Sequence, residues 1–407
     1  MPRLRFAKFV GQPWSAICLG AVTAESTTRN RGRSQSLEVM GVTKVEGIIP
    51  MEEGVIAADR SRYKIVSKNW FAYNPMRLNI GSIARWHSEQ DILVSPDYVV
   101  FRCIEDDEDG ICPDFLDHFR RSDCWQDFVT QSGLGSVRVR IYYKDIAQLE
   151  LNLPKVAEQQ KIADCLSSVD ELIAAQARKV AALKTHKKGL MQQLFPREGK
   201  TQPHLRFPEF RDAGDWSETR LGKVGDLVSG LTYSPDDVRD SGLLVLRSSN
   251  VQDGKISLAD CVYVDPNIKG ANLSVANDIL ICVRNGSAAL IGKNALIPEG
   301  MPRCTHGAFM TVFRSKSPEF VFQLLQTEKY QTQVAGDLGA TINSINGSQL
   351  VKYKFMVPES EEQQKIAELL ASIDRLIADQ TQELDALKTH KKGLMLQLFP
   401  AAEAVEA

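Results

Sequence analysis

Five short stretches of the chain gather side chains that donate and accept hydrogen bonds. Thr28-Arg29-Asn30-Arg31-Gly32-Arg33-Ser34-Gln35 contains no apolar residue and three arginines. Tyr73-Asn74-Pro75-Met76-Arg77 is followed by Asn79 and Gly81-Ser82. Further along come Arg247-Ser248-Ser249-Asn250, then Arg284-Asn285-Gly286-Ser287 with Gly292-Lys293, then Asn343-Ser344-Ile345-Asn346-Gly347-Ser348. A guanidinium fork grips phosphates and paired acceptors, an amide offers both a donor and an acceptor, and glycine lets a backbone come close to a bulky ligand. The chemistry on offer is recognition. Arg29, Arg31, Arg33, Arg77, Ser82, Arg247, Asn250, Arg284, Asn285, Ser287, Lys293, Asn343 and Asn346 are the candidate contacts. The plainer alternative is a set of solvated basic loops.

Three other constellations imitate catalytic or metal chemistry. Asn74-Pro75-Met76-Arg77 begins like the Asn-Pro-Pro-aromatic motif of amino-methyltransferases, but lacks the second proline and the aromatic that stacks on a target base. No glycine-rich cofactor loop follows a strand in that half. Pro235-Asp236 with Asp253-Gly254-Lys255 fits a loose pattern of two carboxylates and a lysine around a divalent cation, yet Asp-Gly is more simply a hairpin turn. Cys103, Cys112, His118 and Cys124 have the residue types of a zinc site without its spacing. We therefore expect no catalytic residue, no cofactor and no metal.

The elements that must position the donor-rich loops come in two copies. Residues 154–196 and 358–400 align at a constant offset of 204 without a gap, with 28 of 43 positions identical. Leu166, Val169, Ile173, Gln176, Val180, Leu183, Lys187, Leu190 and Leu194 alternate spacings of three and four. Ile366, Leu370, Ile373, Ile377, Gln380, Leu384, Leu387, Lys391, Leu394 and Leu398 follow the same grid. Such a stripe is a heptad seam, narrower than the face a helix usually turns to a globular core, so each segment reads as a helix of roughly 55 Å that pairs with the other. Ser360 with Gln363 has the pattern of a capping box, and Pro196 and Pro400 end the helices.

The duplication extends outward. Pro2-Arg3-Leu4-Arg5-Phe6 returns as Pro203-His204-Leu205-Arg206-Phe207, and Trp14-Ser15 with Leu19-Gly20 returns as Trp216-Ser217 with Leu221-Gly222. Before each helix, Ile146, Leu149, Leu151 and Leu153 answer Leu350, Tyr353, Phe355 and Val357, the alternation of a strand. Between these ends the halves diverge, apart from Val100-Phe101-Arg102 against Val312-Phe313-Arg314. We expect strands at 243–246, 279–283 and 309–313, and helices at 113–129 and 319–330. The domains are set at 1–153, a helix at 154–196, a linker and second domain at 197–357, a helix at 358–400 and a tail at 401–407. Two like halves on one chain imitate a homodimer and suit a target with two half-sites, or two identical partners.

Bulk properties are those of an ordinary globular chain of 407 residues, 43% hydrophobic and 25% charged, with a net charge of -2 that argues weakly against nucleic acid. No run is apolar enough to cross a membrane, the N-terminus lacks the apolar stretch of a signal peptide, and eight cysteines lie scattered without a C-x-x-C pair. A cytoplasmic protein with reduced thiols is the expectation.

With Glu361–Ala367 (EEQQKIA), Ala157–Ala163 (AEQQKIA) and the twin endings LKTHKKGLMQQLFP and LKTHKKGLMLQLFP, the whole chain resembles the specificity subunit of type I restriction-modification enzymes. The resemblance implies an α+β fold: two mixed α/β target-recognition domains, each followed by a long helix, the helices pairing as an antiparallel coiled coil. It implies a bipartite double-stranded DNA target, two methyltransferase (modification) subunits and restriction subunits as partners, and no catalysis by the chain itself. The first unit begins at residue 2, so any extra N-terminal segment seen in some relatives is expected to be missing. In an antiparallel pair, Gln176 and Gln380, each near its helix midpoint, would fix the register. Lys184, His186, Lys187 and Lys188, matched by Lys388, His390, Lys391 and Lys392, would form a docking face for protein or DNA backbone. The rivals are a structural adaptor with two protein-binding domains on a coiled-coil stalk, and a methyltransferase or nuclease fused to one.

Overall fold

A computed structural model of the chain describes residues 2–31, 36–104, 106, 108–132, 140–338 and 343–399. Arg33 and the tail at 401–407 lie outside the described residues. Two compact units result, residues 1–177 with 382–407 and residues 178–381, and the boundary between them falls inside both long helices.

In chain order the first unit contains β1 (Ser15–Cys18), α1 (Leu19–Val22), β2 (Thr23–Glu25), β3 (Val39–Thr43), β4 (Gly47–Pro50), β5 (Lys64–Val66), β6 (Phe71–Tyr73), β7 (Ile83–Arg85), β8 (Ile92–Val94) and β9 (Val99–Cys103). Then follow α2 (Pro113–Phe119), α3 (Asp123–Gln131), α4 (Tyr143–Ile146), β10 (Glu150–Leu153) and the start of α5 (Val156–Leu194). The strands form two four-stranded sheets, ordered β2-β9-β6-β7 and β4-β3-β8-β5, and a ribbon β1-β10. Only the β3–β8 pairing among them is parallel.

The second unit repeats that plan. It has β11 (Ser217–Arg220), β12 (Gly225–Ser229), β13 (Val238–Arg239), β14 (Leu243–Leu246), β15 (Val251–Gln252), β16 (Lys255–Ile256), β17 (Val262–Val264), β18 (Ile279–Cys282), β19 (Asn294–Leu296), β20 (Cys304–His306) and β21 (Met310–Ser315). After these come α6 (Pro318–Leu324), α7 (Glu328–Asp337), α8 (Gly347–Leu350), β22 (Lys354–Val357) and the start of α9 (Ser360–Leu398). The sheets are β12-β21-β18-β19 and β13-β17-β14-β20, with the ribbon β11-β22 and the hairpin β15-β16. Here β14 and β20 are the parallel pair. Asp253 and Gly254, at φ +49° and +75°, make the tight turn of the hairpin.

The residues repeated between the halves explain why the plan repeats. Val100-Phe101-Arg102 and Val312-Phe313-Arg314 lie on β9 and β21, the interior strands of equivalent sheets, with Phe101 and Phe313 fully buried. Gly20 and Gly222 admit a close approach: a Cβ would stand 2.8 Å from the Ala147 methyl group and 3.0 Å from Val351 Cβ. The two arginines of the Leu-Arg-Phe repeats make buried, two-pronged ion pairs. Arg5 meets Glu158 at 2.9 and 2.6 Å, and Arg206 meets Glu362 at 2.8 and 2.7 Å. In the same segments the backbone N–H groups of Arg3 and Leu4 donate to the Gln397 carbonyl, and that of Leu205 donates to the Gln193 carbonyl.

The helices begin and pair as their repeats dictate. Gln159 and Gln363 each donate at 2.8 Å to the carbonyl of the proline five residues back, Pro154 or Pro358. Ser360 is the first residue of α9 and not its cap, so the helix entry uses this glutamine–proline bond in place of the expected box. In the first unit the start of α5 and the end of α9 run antiparallel, with Asp170 paired to Lys391 at 2.6 Å and Gln176 donating to Glu383 at 3.1 Å. Ile162, Ala163 and Leu166 share one apolar cluster there with Leu398 and Phe399. In the second unit Lys187 pairs with Asp374 at 2.7 Å, and Ile366, Ala367 and Leu370 cluster with Leu194 and Phe195. Phe399 packs edge-on against Phe115 and Phe119, and Phe195 packs against Trp216 and Phe320, which accounts for the repeated Leu-Phe-Pro endings.

Two helix expectations change. The stretch 113–129 is α2 and α3, and 319–330 straddles α6 and α7. Ser122 and Thr327 cap the second helix of each pair by accepting the N–H three residues on. Ile146 and Leu350, read as the first residues of the final strands, instead close the short helices α4 and α8.

Two predictions follow from this packing. Glu362 is 2% exposed in its ion pair. Arg206→Ala leaves that carboxylate buried without its partner and should cost roughly 3–5 kcal/mol in urea unfolding, while Lys365→Ala, on an exposed pair, should cost less than about 1 kcal/mol. Equal losses would contradict this account. His118 is buried, with Nε2 3.0 Å from Ser167 Oγ. Burial, then Lys391 and Arg121, outweigh Asp170 and Asp117 and push its pKa down to about 4. The unfolded chain therefore binds a proton that the folded chain refuses between about pH 6.5 and 4, so the neutral ring's contribution is complete above that window and lost as pH falls through it. His118→Gln should flatten the stability–pH curve there relative to the parent; parallel curves would contradict the assignment.

Candidate nucleic-acid interface

In the second unit three of the donor-rich loops converge. The loop after β18 carries Arg284, Asn285 and Ser287, the turn after β14 carries Arg247 to Asn250, and the segment before α8 carries Asn343 to Asn346. Asn285 joins all three: its Nδ2 donates to Ser248 Oγ at 3.0 Å, and its backbone N–H donates to the Asn343 carbonyl at 3.3 Å. Asn343 Nδ2 returns a bond to the Gly286 carbonyl at 3.0 Å, and Arg284 bridges to Ser344. Ile345 donates to the Val283 carbonyl. These are residues up to about 100 positions apart, and only the sheet brings them together.

Within the cluster the side chains divide by role. Asn250 is 0% exposed. Its oxygen accepts the Arg247 N–H and its amide donates to the carbonyls of Ser257 and Asp260 at 2.9 and 2.8 Å. It is a brace inside the turn and offers nothing to a ligand, which corrects its candidacy. Arg247 reaches Asp260 at 2.8 Å. Asn346 caps α8 by accepting the Ser348 N–H. Arg284 and Ser287 are exposed and Lys293 is half-buried. The Arg284 guanidinium lies over the ring of Phe309, 5.8 Å from its centroid. Phe309, large and exposed, was not among the candidate contacts, because it stands at the start of the stretch 309–313 expected as a strand.

The first unit places equivalent loops at equivalent positions. The loop between β6 and β7 answers that between β18 and β19, and Ile141 donates to the Pro75 carbonyl as Ile345 does to Val283. Arg77 is exposed on this loop. Ser82 is 2% exposed and its hydroxyl donates to the Val42 carbonyl at 2.7 Å, so it holds the loop against β3 and is likewise corrected as a contact. Lys44, at the β3–β4 turn, runs beside Gly81, whose φ of +91° closes the loop. Arg29 and Arg31 lie against residues 60–63: Arg29 Nη1 donates to the Arg62 carbonyl at 2.8 Å and Arg31 N–H to that of Ser61 at 2.9 Å. Arg62 thus lies beside Arg29 and Lys44 beside the loop that carries Arg77; their distance along the chain hid them.

The imitations of catalytic chemistry resolve into packing. Cys103 is buried on β9, Cys112 donates its backbone N–H to Gln159, and His118 bonds Ser167. Among the described residues no group of three or more His, Cys, Asp or Glu is placed to hold a metal ion, and no helix is long and apolar enough to cross a membrane. Lys187 and Lys391 are seam residues paired with Asp374 and Asp170, which removes them from the docking face. Lys184, His186, Lys188, Lys388, His390 and Lys392 are exposed. In the second unit Lys184 and Lys188 line a cleft with Met191, Phe195 and the first turn of α7; in the first, Lys388 and Lys392 line its counterpart with Met395, Phe399 and the first turn of α3. Gln176 lies in the first unit and Gln380 in the second.

Comparison with known proteins agrees with this construction. Residues 125–185 and 213–389, more than half of the chain, match the family profile described as type I restriction modification DNA specificity domain. The chain is 28% identical over 265 residues to the type I restriction enzyme MjaVIII specificity subunit of Methanocaldococcus jannaschii, covering 62% of this chain and 61% of that one. It is 27% identical over 194 residues to the StySPI specificity subunit of Salmonella potsdam, covering 44% and 42%. These alignments thus span less than two thirds of either relative. Among solved structures, the type I restriction-modification S subunit of M. genitalium superposes with a TM-score of 0.58 at 14% identity, covering 98% of this chain and 99% of that one. A chain from a study of complex assembly and conformational transition of the type I R-M system superposes with a TM-score of 0.57 at 18% identity, covering 96% and 98%. Duplicated units, twin helices and profile together place this chain in the type I restriction-modification DNA specificity family.

Proposed function

We propose that the chain is the DNA-recognition subunit of a type I restriction-modification complex. The reading rests most on the convergence of the loops carrying Arg284, Asn285 and Asn343, where Arg284 also stands over the exposed ring of Phe309: a surface rich in donors beside an apolar group. A major groove presents just such a mixture of acceptors and thymine methyl groups. We assign DNA reading to 1–153 and 197–357, and scaffolding to the helices 154–196 and 358–400. Arg29, Arg31, Arg77, Lys44, Arg284, Ser287 and Lys293 are the proposed contacts. The exposed Lys and His residues near the helix ends dock two modification subunits, and restriction subunits join through these. The chain performs no chemistry of its own and works in the cytoplasm.

The test is a chimera. The complex assembled with its modification subunits should bind DNA with an affinity that falls steeply as salt rises. Replacing residues 205–350 by the same region of a relative should change one half of the methylated sequence and leave the other intact, as genome-wide methylation mapping would read. Both halves altered, neither altered, or methylation by the chain without its partners would each contradict the proposal. An adaptor on a stalk would show no such salt dependence. Gln176 and Gln380, amides on a seam that is otherwise apolar apart from Lys187 and Lys391, are proposed to fix the helix register at a cost in stability. Changing both to Leu should raise the melting temperature and broaden the distribution of spacers that the complex methylates; an unchanged spacer and a lower melting temperature would count against it.

A further inference from the structure

Phe309 is 58% exposed, while Met310 beside it is buried. Its placement is set by backbone bonds and not by packing of the ring. Its carbonyl accepts the N–H groups of both Val283 (3.0 Å) and Arg284 (3.1 Å), which locks the end of β21 onto the loop that carries Arg284. Arg284 stands over one ring face, 5.8 Å from the centroid, and its guanidinium has no hydrogen-bond or ion-pair partner among the described residues. The result is a preformed pair among the converging loops, a guanidinium whose five donors have no partner among the described residues, stacked on an apolar plate. One face of the ring is already covered by the guanidinium. That disfavours stacking of a base on that face and leaves the ring edge as the free apolar surface.

We propose that Phe309 and Arg284 form one sequence-reading unit, in which the ring edge packs on the C5 methyl of a thymine while the guanidinium donates to O6 and N7 of a guanine. This rests on the DNA-reading function proposed above and names which chemistry the second unit selects. Thymine is the base that shows an apolar group in the major groove, and the paired acceptors of guanine match the Arg fork. With a base-pair rise of about 3.4 Å, the 5.8 Å between cation and ring places the two bases within two steps of each other. The half-site read by the second unit should therefore contain a fixed thymine within two positions of a fixed guanine, on either strand.

The experiment uses the complex with its modification subunits and duplexes carrying the mapped target. Each thymine of the second half-site is replaced in turn by deoxyuridine, which lacks only the methyl group. The parent should lose three- to fivefold in affinity at one position, the worth of one buried methyl group, and Phe309→Ala should lose nothing further there. Arg284→Lys should lower discrimination at the neighbouring guanine roughly tenfold. If the alanine variant fails to assemble, Phe309→Leu serves: its sensitivity to deoxyuridine should be reduced but its position unchanged. A second half-site without a fixed thymine overturns the inference. So does a parent complex indifferent to every deoxyuridine, or a Phe309 variant as sensitive as the parent at the same base. In those cases DNA binding itself survives. A complex with no salt-dependent DNA affinity overturns the underlying function and the inference with it.

Discussion

Glu158 and Glu362 hold the design together. Each carboxylate is buried near the first turn of a long helix, and each is matched by an arginine more than 150 residues earlier in its own half. A carboxylate removed from water is costly unless a partner and further hydrogen bonds compensate it. Arg5 and Arg206 do so with two prongs, and their remaining nitrogens bind the carbonyls of Gln12 and of Ala213 and Gly214. The same leading segments are bonded to the last turn of a helix, at Gln397 in one unit and Gln193 in the other. One short peptide therefore touches both a helix start and a helix end within each unit. This constraint explains why the ends of the two halves stayed alike: a change in Arg5 or Glu158 alone would strand a charge, whereas the loops between are free of that coupling.

The seam was legible because its physics is local. A period of three and four along one helix names the buried positions directly, and even the two lysines on that stripe, Lys187 and Lys391, point inward as the grid demands, each toward an aspartate. Reading them as docking residues set their charge above their position. The strand cores were legible for the same reason. What the chain did not disclose was assembly across distance. Ser122 and Thr327 look like ordinary helix residues until the neighbouring turn shows them as caps. Asn250 and Ser82 have the composition of ligand contacts and the environment of braces. Phe309 has the composition of core and the environment of surface. In each case residue type was read correctly, and burial, which depends on partners tens of residues away, decided the role.

The divergent interiors still share a frame. Each unit has a parallel pair, β3–β8 in the middle of its sheet and β14–β20 at an edge, and the loops between β6 and β7 and between β18 and β19 occupy equivalent places. Ile141 and Ile345, 204 residues apart, bind the backbone of those loops in the same way. Beyond the frame the chemistry separates. Arg314 is fixed by Asp278 at 2.8 Å, while Arg102, its counterpart on β9, is exposed. Asn346 caps a helix with an amide where Tyr142 presents a phenol ring. A framework that fixes where loops begin and end, without fixing what they carry, lets two surfaces of different specificity arise from one duplicated plan.

The braces and the projecting groups have to be considered together. Ser82 turns in while Arg77 on the same loop turns out; Asn250 turns in beneath the turn whose Arg247 and Ser248 reach its neighbours. Each inward group satisfies backbone atoms that the loop would otherwise leave to water, and so reduces the number of shapes the loop can adopt. A ligand meeting such a loop pays little for ordering it, because the ordering was done on folding. The same bonds limit how specificity can change. Replacing an outward residue alters one contact, but replacing Asn250 removes the three hydrogen bonds of a fully buried side chain and disturbs the turn that presents the donors. Recognition on this scaffold should therefore vary by exchange of whole loop sets with their internal braces, which is the pattern of kept ends and wholly different middles that the two halves of this one chain already display.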